Sequence, residues 1–213
     1  MNFDAFLKSI SKIEHLELPG IASQVKMSPP HRLKLIEKQK EAMKNATNAG
    51  VMALFYPDET QSTKLILILR KTYKGVHSAQ VGFPGGKFEH GDVSIKHTAL
   101  RETQEEIGVA IEDISILKEM TSMYIPPSNF NVHPFVGVIN KTPKFMKQED
   151  EVEDLIEVAL SHLIDDSILI TTSVPTSYEI RVDVPAFKLN GHIVWGATAM
   201  MLSELKDLLK RVL

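Results

Sequence analysis

The stretch DVSIKHTALRETQEEI (92 to 107) constrains this chain more than any other, because a helix drawn through it has two faces of opposite character. At about 100° per residue, with Glu102 at zero, Glu105 falls at about −60° and Glu106 at about +40°, so three carboxylates share one arc. Leu100 and Ile107 lie roughly opposite, at about 140° to 160°, so the helix packs through them and turns its acids outward into a loop-lined space. Like charges at these spacings repel by a few tenths of a kcal/mol each, and no Lys occupies the i+4 positions that would offset this. Taken alone the trio reads as a solvated acidic face; crowded as it is, it calls for something cationic opposite. Asp92 is the expected N-cap and Gly108 the C′ residue.

The neighbouring segments give that helix a setting. Immediately upstream stands FPGGK (83 to 87), in which Pro84 stiffens the chain and Gly85 and Gly86 allow positive φ and close backbone approach. VMALFY (51 to 56), KLILILR (64 to 70), ISILKEMTSMYI (114 to 125) and NVHPFVGVIN (131 to 140) read as strands. Before them, Phe3, Phe6, Leu7, Ile10 and Ile13 recur at helical spacing, and RLKLIEKQKEAMKNAT (32 to 47) is rich in helix formers. After them come a short helix at 160 to 167, an extended segment at 185 to 195, and a terminal helix at 197 to 213 with Met201, Leu205, Leu208 and Val212 as its apolar stripe. The expected organisation is an N-terminal helical extension, 1–48, and a strand-rich domain, 49–213.

Composition narrows the chemistry. Among 213 residues there is no cysteine, so a metal must be held by oxygen or imidazole, which favours a hard cation such as Mg²⁺ or Mn²⁺. A net charge of −3 with intermixed signs leaves no electrostatic footprint for a nucleic-acid polymer. Asp4 and Lys8 interrupt the first apolar run, against a signal peptide, and no run approaches the ~20 apolar residues of a membrane span, so a cytoplasmic protein is expected.

Together, GGKFEHGDVSIKHTALRETQEEIGV resembles the Nudix box, the signature of hydrolases that cleave a diphosphate linked to another moiety. Its REX₂EEXGU half is matched by Arg101, Glu102, Glu105, Glu106, Gly108 and Val109. Asp92 stands where the general pattern has glutamate, and the gap to Arg101 is one residue longer. These departures, with FPGGK, are similar to the coenzyme A pyrophosphatase branch. MSP (27 to 29), HSAQVGFPGG, YIPPSNFNVHPFVG and VWGATA (194 to 199) extend the resemblance over most of the chain. The branch's upstream motif is matched at Arg70, but Lys71, Gly75 and Ala79 replace its serine, second arginine and glycine.

The resemblance implies an α/β Nudix fold, a mixed β-sheet sandwiched between α-helices, and hydrolysis of coenzyme A or its thioesters to 4′-phosphopantetheine and adenosine 3′,5′-bisphosphate. A diphosphate repels incoming water unless its charge is neutralised, and three carboxylates on one helix face can hold the cations that do this. Metal ligands are then Glu102, Glu105, Glu106 and the backbone at Gly86. Arg101 orients the glutamates, and with Glu102, Glu105 and a general base at Glu151 it makes up the catalytic set. Arg70, Lys71, Lys74, Gly85 and Lys87 are the substrate-binding candidates, the first three for the 3′-phosphate of coenzyme A. Trp195 is either a core residue or a platform for adenine, and His77, His90 and His97 lack metal-ligand spacing. The expected partner is a small nucleotide diphosphate, with no nucleic-acid polymer and no membrane, and the reading is compatible with a homodimer. ADP-ribose, NADH or a non-standard nucleoside triphosphate stays open as substrate, as does a nucleotide sensor without catalysis.

Overall fold

The computed structural model describes residues 1–30, 32–72, 80–174 and 181–213. Its centre is a mixed sheet. Strand β1 (Thr47–Pro57) runs antiparallel to β2 (Thr63–Arg70) and parallel to β7 (Phe130–Val138). The short β3 (Val81–Gly82) and β8 (Val152–Ala159) pair with β2, β4 (Gly85–Lys87) with β1, and β5 (Ser115–Glu119) and β6 (Met123–Ile125) with β7, all antiparallel. A separate three-stranded antiparallel sheet contains β9 (Leu169–Val174), β10 (Val182–Leu189) and β11 (His192–Trp195).

β1 and β2 are almost continuously apolar because both faces of the sheet are covered. Met52, Leu54, Tyr56, Ile66 and Ile68 face one core with Ala99 and Ile107 of helix α5 (Ile95–Ile107). Ala53, Phe55, Leu65 and Leu67 face the other core, with Leu202, Leu205 and Leu208 of α7 (Gly196–Leu209) and Phe3, Phe6 and Ile10 of α1 (Phe3–Ile10). The sheet is thus sandwiched between helices. No helix among the described residues is long and apolar enough to cross a membrane.

Several expected boundaries shift. The segment expected as one helix from 32 to 47 splits into α3 (Arg32–Lys38) and α4 (Lys40–Lys44) at Gln39, whose φ of −109° and ψ of 20° leave the helical region, and β1 already begins at Thr47. α5 starts at Ile95, with Ser94 as N-cap accepting from His97 N–H at 3.1 Å. Asp92 cannot cap because its carboxylate is engaged elsewhere. Gly108 closes α5 in the left-handed region as expected. The strand expected from 114 to 125 is two, and the extended segment at 185 to 195 is a β10–β11 hairpin. Its turn, Asn190–Gly191, has positive φ at both residues, the pattern that matches strand twist. A short α2 (Ile21–Gln24) completes the N-terminal region, and α6 (Leu160–Ile164) precedes β9.

Candidate active site

The β4 strand brings the glycine loop onto α5. Gly85 has a φ of 150°, and a Cβ there would strike the backbone of Gly50 and Val51 across the β1–β4 pairing. At Gly86 a Cβ would fall on the carboxylate of Glu102. Glycine at both positions is therefore what lets the strand lie flush against β1 while leaving room for the acidic face of α5.

Three glutamates of one helix meet three environments. The Glu106 side chain is 1% exposed, that of Glu102 13% and that of Glu105 50%. Glu106 Oε2 accepts from Gly85 N–H at 2.7 Å, which fixes the loop to the helix. Arg70 Nη2 lies 3.0 Å from Glu106 Oε1 and donates to the Gly85 carbonyl at 2.6 Å. Glu106 Oε1 is buried with no hydrogen bond, the arginine lying out of alignment with it. Burial pushes the Glu106 carboxyl up to about 7, against the opposing pull of Arg70 and Gly85 N–H. Burial also raises that of Glu102, partly offset by Arg101.

Arg101 is the hub. Its Nε and Nη2 bind Asp92 Oδ1 and Oδ2 at 3.0 and 3.1 Å, and Nη2 also reaches the Lys87 carbonyl at 3.2 Å. Nη2 lies 3.0 Å from Glu102 Oε1 and Nη1 2.9 Å from Glu105 Oε2. Asp92 further accepts from Thr98 Oγ1 at 2.9 Å and Glu89 N–H at 3.0 Å, and contacts His97 Nδ1 at 3.0 Å. These partners, Arg101 first, hold its carboxyl far below the usual carboxylate range despite burial. Asp92 was the position out of step with the family pattern, and that mismatch was the sequence signal for its role. One carboxylate fixes the arginine that spreads Glu102 and Glu105.

A cavity of about 770 Å³ opens over this face. Of the expected site residues, Arg70, Gly85, Gly86, Lys87, Arg101, Glu102, Glu105 and Glu151 line it. Glu106 lies behind the glycine loop. Lys71 is not among the lining residues; its backbone N–H donates to the Glu151 carbonyl at 2.9 Å. Lys74, with Gly75, His77 and Ala79, lies outside the described residues. Trp195 is among the residues that line the cavity, so it faces a ligand space. Sequence reasoning missed one wall, the side chains of Arg32, Lys34 and Lys38 on α3. The only signal was the density of cations in RLKLIEKQK.

Among the described residues, no three Asp, Glu or His side chains are drawn together into a metal cage. The donor set nevertheless suits a hard divalent cation. Its oxygens are hard, Glu106 Oε1 is a buried acceptor lacking a hydrogen bond, and Gly86 leaves the space beside Glu102 that a Cβ would fill.

A NUDIX domain model matches residues 46–171. The chain therefore belongs to the Nudix family, and its fold and acidic helix are those of a Nudix pyrophosphohydrolase. It is 30% identical over 196 residues to NudL of Pectobacterium atrosepticum, an uncharacterised Nudix hydrolase, covering 88% of this chain and 92% of that one. Identity to the human mitochondrial coenzyme A diphosphatase NUDT8 is 32% over 153 residues, 71% of this chain and 61% of the relative. The peroxisomal coenzyme A diphosphatase ndx-8 of Caenorhabditis elegans is 28% identical over 156 residues, 72% of this chain and 65% of that one. These relatives set the chain beside the coenzyme A pyrophosphatase branch. Among solved structures, the Nudix hydrolase RenU of M. smegmatis shares the fold, with a TM-score of 0.52 at 12% identity over 79% of this chain and 88% of that one.

Proposed function

We propose that this chain hydrolyses the diphosphate of coenzyme A or acyl-coenzyme A, giving (acyl-)4′-phosphopantetheine and adenosine 3′,5′-bisphosphate. The carrying observation is that one cavity is lined both by Glu102 and Glu105 of α5 and by the aromatic side chains of Phe130 and Trp195. A substrate with a diphosphate between an aromatic base and a long, weakly polar arm fits both parts. The coenzyme A diphosphatases among the relatives support the same reading. A cytoplasmic location belongs to it as well, and so does an N-terminal segment, 1–48, that packs on the catalytic domain through Phe3, Phe6 and Ile10.

Glu102, Glu105, Glu106 and the Gly86 backbone would hold Mg²⁺ or Mn²⁺, which supplies charge neutralisation at the diphosphate and a more acidic attacking water. The chain does the positioning. Arg101, fixed by Asp92, holds Glu102 and Glu105 apart and in register, and Glu106 ties Gly85 to α5 so that the loop backbone is presented to the phosphates. Lys87, on β4 beside the glutamates, offsets diphosphate charge. Glu151, at the cavity rim, takes a proton from the water; the water oxygen bonds to one phosphorus, the bridging P–O bond breaks, and the other half departs as a phosphate. Trp195 supplies a face on which adenine stacks.

Turnover of coenzyme A, ADP-ribose, NADH and nucleoside triphosphates, each with Mg²⁺ and Mn²⁺, tests this reading. Coenzyme A should give the highest kcat/KM. If ADP-ribose or a nucleoside triphosphate is preferred, the coenzyme A assignment falls and the general diphosphate hydrolase remains. Lys71, Gly75 and Ala79, where the branch motif is not kept, are the observation that favours such an alternative.

A further inference from the structure

The basic wall of α3 has no role in the chemistry above, yet it faces the same cavity. At about 100° per residue Lys34 and Lys38 lie only about 40° apart, with Leu35 and Arg32 completing one arc and Glu37 outside it. All four residues of that arc line the cavity. Arg32 secures the helix, donating through Nη2 to the Tyr124 carbonyl of β6. Lys34 and Lys38 are exposed and, among the described residues, neither ammonium is paired with a carboxylate. Two like charges one turn apart destabilise a short helix slightly, so an anion between them is the favourable arrangement.

The other cations at the cavity are committed or sit beside the glutamates. Arg101 is held by Asp92, Arg70 by Glu106 and the Gly85 carbonyl, and Lys87 stands on β4. The sheet register separates these from α3. Met123 of β6 pairs with Val132, Val132 with Ala49, and Ala49 with Lys87 of β4. That puts β6, on which α3 is held, three strand spacings, roughly 14 Å, from β4, so the α3 wall lies at a different part of the cavity from the glutamates.

We infer that Lys34 and Lys38 bind a second phosphate group of the substrate, a monoester remote from the diphosphate that is cleaved. Resting on the coenzyme A reading, this is the 3′-phosphate of the adenosine half. It places that contact on the N-terminal helix rather than on Arg70, which is engaged with Glu106, or Lys71, which does not line the cavity.

The test is titration calorimetry of the full-length chain with adenosine 3′,5′-bisphosphate and with AMP. Wild type should bind the bisphosphate at least about 10-fold more tightly, from two charge-assisted contacts. In Lys34→Gln/Lys38→Gln the ratio of the two affinities should fall to within about threefold of one, and in Lys34→Arg/Lys38→Arg it should survive, because the charge is kept. A wild type without the preference, or a glutamine double variant that retains it, overturns the inference. Coenzyme A turnover is read separately. A wild type that keeps the preference but leaves coenzyme A intact overturns the substrate reading and leaves the phosphate subsite standing.

Discussion

Asp92 and Glu106 show how differently two buried carboxylates can be used. Asp92 is fully partnered, its carboxyl held down chiefly by Arg101, so folding favours its ionised form. Its contribution is complete above the ordinary value of 3.8 and is lost as pH falls below it. Urea unfolding at pH 3 and pH 6 should therefore show a larger loss of stability at the acid end for wild type than for Asp92→Asn. Asp92→Ala, which removes two hydrogen bonds from Arg101 and one from Thr98 while Arg101 keeps Glu102 and Glu105, should cost about 1 to 3 kcal/mol at neutral pH. Glu106 is the opposite case, a buried acid whose carboxyl burial drives upward and whose Oε1 lacks a hydrogen bond. Glu106→Gln and Glu105→Gln should each lower kcat by about 100-fold or more at saturating metal, several kcal/mol of transition-state stabilisation, while circular dichroism stays native. Either variant with wild-type kcat would remove the metal-site account of α5.

The elements were legible where the determinants are local. α5 could be read in outline because Ile107, the glutamates and Gly108 lie within one short run, but its packed face is Thr98, Ala99, Thr103, Glu106 and Ile107, so Glu106 is turned inward rather than outward and Leu100 is only partly covered. Its start could not, because Asp92 was recruited by Arg101 nine residues later and Ser94 took the cap. Likewise 32 to 47 has helix-forming composition throughout, but the helix breaks at Gln39, whose side chain lies 3.2 Å from Tyr124 Oη of β6, a tertiary setting that propensity does not carry. β4 is legible only as a glycine pair, and what the pair is for emerges from the sheet. A side chain at Gly86 meets Glu102. Gly86→Ala should thus lower kcat/KM at least about tenfold through displacement of that carboxylate, with a thermal midpoint within a few degrees of wild type. Unchanged steady-state kinetics would show that the close approach is not needed for catalysis.

Across the whole molecule, the N-terminal segment is part of the packing. Phe6 is fully buried and packs against Phe55 of β1, the rings tilted by 49° with centroids 4.9 Å apart. Glu204 of α7 accepts from Gly20 N–H at 3.1 Å, Gln24 Nε2 at 2.8 Å and Thr121 Oγ1 at 2.6 Å, joining that segment to the terminal helix. Phe6→Ala should cost about 3 to 5 kcal/mol in urea unfolding; a cost near zero would mean the segment rests on the domain without stabilising it. The cavity is assembled on the same scale. Its walls come from α3, β4, α5 and the β11–α7 junction, segments far apart in sequence, so the carboxylate face could be read in advance while the α3 wall and the orientation of Trp195 could not. The central claim, that this cavity and its acidic face cleave coenzyme A at the diphosphate, is tested most directly by ³¹P NMR of coenzyme A incubated with Mg²⁺ and wild type or Glu105→Gln. Wild type should form two phosphate monoester products, 4′-phosphopantetheine and adenosine 3′,5′-bisphosphate, both nearly absent with the variant. Intact coenzyme A under wild type, release of inorganic phosphate instead, or equal product from both proteins would contradict it.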